Sequence, residues 1–372
     1  MYLDSGRERR KWPGMLLAVL CGVALGVLVY WRPPAFLHVM IQPTPTIVIS
    51  TLSSEELLAE GDRLFREGRM DDAIEAYKQV TDMSPKSAVA HAHLARLLAM
   101  RRRYDEALRA AQRAVEIDAE SAEGQAILGM VLDWSGRAHE AMTPLLRAVQ
   151  LNPSLAEAHA YLAEGYADTD RLARAQETVA QAVALEPDNP YVLRSVAYVR
   201  ERAGDYEGAI EQYLLAAELQ PNWAHLYVSL GQNYRVLGRN EEAIASFKRA
   251  IEIDPVDPLA YDTLGLLYYV AQEYDAAAIE FQHAIEVSPD YGPAHGHLGW
   301  ADYVRRHYEE AVPHFEKAIA LGETSLEYYY ELGLSYAYSG QCDEAVKWLN
   351  KTLEMEPTNN PAKQGLAYCA GR

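Results

Sequence analysis

The stretch Asn240–Pro255, NEEAIASFKRAIEIDP, is echoed by Glu273–Pro289, EYDAAAIEFQHAIEVSP; aligned on Ala243 and Ala277, the copies lie 34 residues apart. In the first copy Ala243, Ile244, Phe247, Ala250 and Ile251 recur at helical spacing, the mark of an amphipathic helix. The proline that follows ends it, because a ring nitrogen cannot donate to the helix ladder. Upstream, Tyr227, Leu230, Gly231 and Tyr234 trace a second helical stripe, and Gly238 in the intervening GRNEE can take the left-handed conformation that closes that helix. The spacing predicts two helices of roughly a dozen residues joined by a tight turn.

The same unit recurs along the chain. With Ser54 as position one of a 34-residue frame, position twenty falls on Ala73, Ala107, Ala141, Ala175, Ala209, Ala243, Ala277, Ala311 and Ala345, nine alanines with no insertion between them. Position eight is always glycine or alanine, and position thirty-two is proline in seven copies, Ala119 and Glu323 being the exceptions. Small residues at eight and twenty let paired helices approach closely. One such pair cannot bury its apolar face alone, so a fixed period predicts units stacked on one another and no single globular core.

These residues resemble the tetratricopeptide repeat family: small at eight, often tyrosine at eleven, alanine at twenty, aromatic at twenty-four, proline at thirty-two. The resemblance covers Ser54 to Asn359. The family's tryptophan at position four is replaced by His91, His159, Tyr227, Tyr261, His295 and Tyr329 among others. It implies an all-α fold, an α-solenoid of nine repeats (54–359) plus a capping helix (360–372), with the first helix of each repeat lining a concave face.

Composition fits that reading. Of 372 residues 49% are hydrophobic, with five phenylalanines against 25 tyrosines, and aromatics with a polar tip suit half-exposed positions. The net charge of −19 divides into +3 on residues 1–53 (five Arg or Lys against two Asp or Glu) and hence −22 on the remainder. A surface so acidic repels phosphate backbones, which argues against nucleic-acid binding.

The N-terminus differs in kind. Residues 15–31, MLLAVLCGVALGVLVYW, carry no charge, the short end of what spans a bilayer. Arg7, Arg9, Arg10 and Lys11 precede the run and Arg32 alone follows closely, so the positive-inside rule places residues 1–14 in the cytoplasm and the repeats outside it, as in a bacterial envelope protein. A cleaved signal peptide is the competing reading; no small-x-small site follows the run, which favours an uncleaved anchor. Residues 32–53, with Pro33, Pro34, Pro43 and Pro45, read as a stiff stalk. Ala18, Gly22 and Gly26 recur at four-residue spacing, a face through which two membrane helices could dimerise, although glycine and alanine are also simply frequent in such helices.

No phosphate-binding loop, HExxH, CxxC or GxSxG occurs, so the chain is expected to be no enzyme and to hold no cofactor. His91 with His93, and His295 with His297, are two apart on a helix and point to different sides, which favours packing over metal ligation. Cys342 and Cys369 could form a disulfide in an oxidising compartment, which spacing alone does not decide.

The groove carries the expected function. In the family, positions two, five, nine, twelve and thirteen face the concavity. In repeats three and four these are Glu123, Asp133, Trp134, Glu157, Glu164 and Asp168; in repeats seven to nine they are Leu266, Tyr269, Trp300, Tyr303, Tyr330, Leu334 and Tyr338. The expectation is a scaffold gripping an extended partner polypeptide, with apolar side chains between Tyr269, Trp300, Tyr303, Tyr330 and Tyr338, and basic ones at Glu157, Glu164 and Asp168. Mutual packing of the aromatics is the rival reading of that cluster. A non-catalytic accessory subunit of an envelope-assembly, polysaccharide-synthesis or secretion machine is the alternative function. The lysine and asparagine of the family's carboxylate clamp are absent.

Overall fold

The computed structural model describes residues 52–371. The expected membrane helix with Ala18, Gly22 and Gly26, the basic segment before it and most of the stalk lie outside the described residues. Among the described residues there are 19 α-helices and no strand. None of these helices is long and apolar enough to cross a membrane.

The helices pair in chain order. Repeat one is α1 (Ser54–Arg66) and α2 (Met70–Met83); repeat two, α3 (Ala88–Met100) and α4 (Tyr104–Ile117); repeat three, α5 (Ala122–Trp134) and α6 (Ala138–Leu151). Repeat four is α7 (Ala156–Asp168) and α8 (Leu172–Leu185); repeat five, α9 (Pro190–Arg202) and α10 (Tyr206–Leu219); repeat six, α11 (Ala224–Val236) and α12 (Asn240–Ile253). Repeat seven is α13 (Pro258–Val270) and α14 (Tyr274–Val287); repeat eight, α15 (Gly292–Val304) and α16 (Tyr308–Ala320); repeat nine, α17 (Leu326–Tyr338) and α18 (Cys342–Met355). The last helix, α19 (Asn360–Ala370), packs on both α17 and α18. The sequence-derived solenoid is therefore the fold of the described residues.

Helix starts are local in origin. Ser53 and Glu56 form a capping box on α1, and Ser87, Ser121, Asn189, Asp205, Asp257 and Asn359 each accept a first-turn amide, satisfying donors that the helix itself cannot. Each repeat turns at position fifteen through a left-handed residue: Gly68, Gly136, Gly204, Gly238 and Gly340, but also Arg102, Asp170, Gln272 and Arg306. Those four non-glycine residues carry a steric cost of roughly 1–2 kcal/mol each. Where Glu323 replaces the usual proline, α16 stops early and Gly322 turns the chain with a φ of 98°.

The two small positions act as predicted. All nine alanines at position twenty are fully buried. A Cβ added at position eight would meet the side chain at position twenty-four of the same repeat: Phe247 at 2.4 Å from Gly231, Phe281 at 2.6 Å from Gly265, Phe315 at 2.7 Å from Gly299. Where position eight is alanine instead, position twenty-four shrinks to Ala111 opposite Ala95 and Val179 opposite Ala163, but stays large at Tyr213 opposite Ala197. At Gly231, Gly265 and Gly299 the missing Cβ thus makes room for a phenylalanine ring, and overpacking such a contact costs typically about 1–3 kcal/mol. The position-four residues have a role of their own: His91, His159, His295 and Tyr261 reach the carbonyls of Pro85, Pro153, Pro289 and Pro255 at 3.3, 2.9, 3.0 and 3.2 Å. Each ties a repeat to the one before it.

One feature is non-local. The array curls until the loop before α11 lies against repeat one: Phe65 stacks on Trp223 with centroids 5.7 Å apart, and Asn222 Nδ2 donates to the Glu67 carbonyl at 3.2 Å. Arg101, at the end of α3, pairs with Asp254 at the end of α12 and with Asp71 at 3.0 Å. Trp223 is 1% exposed and also packs on Tyr191 and His225. Repeats one to six close on themselves.

Candidate partner-binding groove

First helices of neighbouring repeats pack on one another from repeat two to repeat five and from repeat six to repeat nine. In repeats two to five the lining they form is charged and internally paired. Arg96 of α3 reaches Glu157 of α7 at 2.7 Å and Glu123 of α5 at 3.4 Å, with its guanidinium 4.6 Å from the Tyr191 ring centre. His93 bridges Asp62 at 3.2 Å and Glu123 at 3.3 Å. Further along, in repeat five, Arg194 of α9 pairs with Glu164 at 2.6 Å and lies 4.3 Å over Trp134. The other oxygen of Glu164 takes the Trp134 indole N–H at 3.0 Å, and Ser195 also donates to this carboxylate, which is 1% exposed. Tyr198 donates to Asp168, and Arg202 lies 3.5 Å from it. Glu157, Glu164 and Asp168 are thus brought together along the interior, each already met by a partner from this chain.

A cavity of about 430 Å³ opens in this interior, lined by Asp133, Trp134, Glu164, Asp168, Arg194 and His225 among others. Asp133 is 5% exposed and its Oδ1 has no hydrogen-bond partner. Burial, then the neighbouring Asp168 and Glu164, push its carboxyl up to about 8.

From repeat six onward the lining changes. Tyr269 and Trp300 lie 6.3 Å apart, and Trp300 packs on Tyr328 at 5.1 Å and His297 at 5.0 Å. Tyr303 meets Tyr308 at 5.5 Å, Tyr308 meets Tyr338 at 4.9 Å, and Tyr338 meets Tyr368 of α19 at 5.3 Å. Tyr269, Trp300, Tyr303 and Tyr330 are half-buried and Tyr338 is exposed, so the rings pack on one another and still show an edge to solvent. Glu331, beside Glu327, has a buried oxygen without a partner, and burial first pushes its carboxyl up to about 8.

The sequence reading named Tyr338 at position thirteen but passed over the three valines that precede it at the same position. Val236 is 53% exposed, Val270 70%, Val304 40% and Tyr338 39%. Position thirteen faces inward, since Trp134 at the same position lines the cavity in repeat three. The signal was present in the frame: four apolar residues at one repeat position, at helix ends where burial by the same repeat runs out.

Models of the tetratricopeptide repeat match residues 64–131, 162–223 and 298–360, and a further TPR repeat model matches 231–272. No curated protein matches the chain significantly. Among solved structures it is similar to the APC/C hetero-tetramer Cut9–Hcn1, at 18% identity and a TM-score of 0.62, covering 80% of this chain and 59% of that one. It is similar to the human IFIT1 dimer with m7Gppp-AAAA at 17% identity and a TM-score of 0.57, covering 82% and 91%. MamA is 30% identical over 44% of this chain and 95% of its own, with a TM-score of 0.40. The first two likenesses show the shared solenoid fold.

Proposed function

The chain is a tetratricopeptide repeat protein, and on that premise we propose that it is a membrane-anchored interaction scaffold whose inner face in repeats six to nine grips an extended segment of a partner polypeptide. Such repeats generally mediate protein–protein contacts, and solenoids use their concave surfaces to do so. The observation that carries the proposal is the row Val236, Val270, Val304 and Tyr338, exposed at one position of four successive repeats. A folded chain leaves such apolar surface open mainly where something is to cover it. The flanking rings of Tyr269, Trp300, Tyr303 and Tyr330 provide rigid walls with polar tips, a good surface for anchoring apolar side chains. Glu157, Glu164 and Asp168, next along the groove, already hold Arg96, Arg194, Tyr198 and Arg202 of this chain, so the segment is gripped by the aromatic and apolar end.

Anchoring rests on the uncharged run 15–31 and its upstream arginines. The disulfide between Cys342 and Cys369 supports an oxidising compartment for the repeats. A reporter fused after Arg372 is then expected to be active only outside the cytoplasm, and a cytoplasmic signal would overturn this topology. For the groove, the test is titration of a captured partner fragment against wild type and Trp300→Ala with Tyr303→Ala, each checked for fold by circular dichroism. Loss of central aromatic anchors costs at least about 2 kcal/mol, a roughly thirtyfold weaker Kd. Unchanged binding by a folded double variant would remove the groove from consideration.

A further inference from the structure

From the unused acceptor on Asp133 and the cavity around it, we propose that the interior of repeats three to six is a binding site for a single organic cation, the guanidinium or ammonium group of a basic side chain or of a free amine.

The neighbouring carboxylates are spent. Glu164 is filled by Arg194, Ser195 and the Trp134 indole, and Asp168 by Tyr198 and Arg202. Asp133 is different: it lines the cavity, is 5% exposed, and leaves Oδ1 without a donor. A buried carboxyl oxygen with no partner is costly, and an N–H donor entering the cavity would supply the missing bond. Charge selects the donor. Beside Asp133 the cavity holds three more carboxyl groups, Glu164, Asp168 and Asp257, against two guanidiniums, Arg102 and Arg194. The buried Asp133 carboxyl gives up its proton as a cation enters, so a cation is favoured and an anion repelled. Arg194 does not oppose entry strongly, because Glu164 already meets its charge. His225, also on the wall, is held well below the usual histidine range, down to about 3, by burial and then by Arg194, so it adds no positive charge. Its Nε2 likewise has no partner and in the appropriate tautomer accepts a second N–H. A cavity of about 430 Å³ takes such a group with its alkyl stem. The carboxylates are not gathered as metal ligands: no metal-binding group occurs among the described residues.

The test is calorimetric titration of the full chain with N-acetyl-L-arginine amide, its lysine and citrulline counterparts, and agmatine. The arginine and lysine amides or agmatine are expected to bind and the neutral citrulline amide not to. Tighter binding of the amides than of agmatine assigns the site to a basic side chain of a polypeptide, and the reverse to a free amine. Asp133→Asn, which keeps the shape and removes the carboxyl that ionises when the cation binds, is expected to weaken cation binding at least tenfold. Citrulline binding as well as arginine, absence of binding by every cation, or full affinity in a folded Asp133→Asn chain would each overturn the proposal. Trp300→Ala with Tyr303→Ala should leave this titration unchanged, so the cation site and the aromatic groove fail separately.

Discussion

At position thirteen, repeats one to five hold Arg66, Met100, Trp134, Asp168 and Arg202, whereas repeats six to nine hold Val236, Val270, Val304 and Tyr338. The frame is the same and the consequence differs. In the first region the inner face is closed by partners from its own chain: Arg96 with Glu157, Arg194 with Glu164, Phe65 with Trp223. Such buried pairs add little net stability, because desolvation offsets their attraction; their effect is to specify how tightly the array curls. In the second region aromatic rings pack side by side and the valines beyond them face solvent. A repeat therefore fixes the backbone of the groove and leaves its occupancy to a few variable positions.

The comparison breaks most severely at Trp223. Truncation of a fully buried tryptophan costs about 3–5 kcal/mol, and Trp223→Ala is expected to lower the Tm and to raise hydrogen exchange in repeats one and six, while repeats eight and nine keep their protection. Uniform loss along the chain would mean that the two regions are not separate in stability. At the opposite end, the disulfide fixes α19 on the last repeat across 27 residues, and loops of that length are stabilised by about 2–4 kcal/mol. Cys342→Ser should therefore fray α19 first, exposing Leu349 and the Tyr338–Tyr368 contact, with repeats two to five unaffected in exchange.

Each region also keeps one carboxyl near neutrality, Asp133 and Glu331, both pushed up to about 8 by burial first. Their folded pKa lies above the unfolded one, so the stability they contribute is complete below about pH 4 and is lost as pH rises to about 8. Asp133→Asn and Glu331→Gln are each expected to stabilise the protein at pH 8 by roughly 1–3 kcal/mol, and by much less at pH 5. Denaturant midpoints at the two pH values decide this; an effect equal at both would remove titration as its cause. The smallest effect is expected at the turns. Gln272→Gly and Asp170→Gly, one in each region, relieve left-handed backbone at φ of 64° and 59° and should each add about 0.5–1 kcal/mol, net of the entropy that glycine brings to the unfolded chain.

Most of the fold was legible because it is local and repeated. Ala243 and Ala277 fix the frame, and Gly231 beside Phe247 shows why the frame tolerates so little change. The closure of repeats one to six was not legible: Asn222 and Glu67 are 155 residues apart, and no periodic signal marks two loops that meet only after the array has curled. The site was half legible. The tyrosines and Trp300 stood out by composition, and the structure sets Tyr269 beside Trp300. That Glu164 already holds Arg194 could have been read from the frame, since position five of one repeat faces position nine of the repeat before it, whereas Arg96 reaches Glu157 across two repeats and follows no such rule. The apolar run at position thirteen could have been read too, but not the degree to which Val270 is exposed, because apolar helix ends are ordinarily covered.

The central claim, that repeats six to nine present the open surface and the outer helices do not, is tested most directly by photo-cross-linking. A cross-linking residue is placed in the full chain either at Val270, 70% exposed on the inner face, or at Leu214, 43% exposed on α10. Partner adducts are expected from Val270, lost when Trp300→Ala and Tyr303→Ala are added, with none from Leu214. Adducts from Leu214 and none from Val270 would contradict the account and move the binding surface to the second helices.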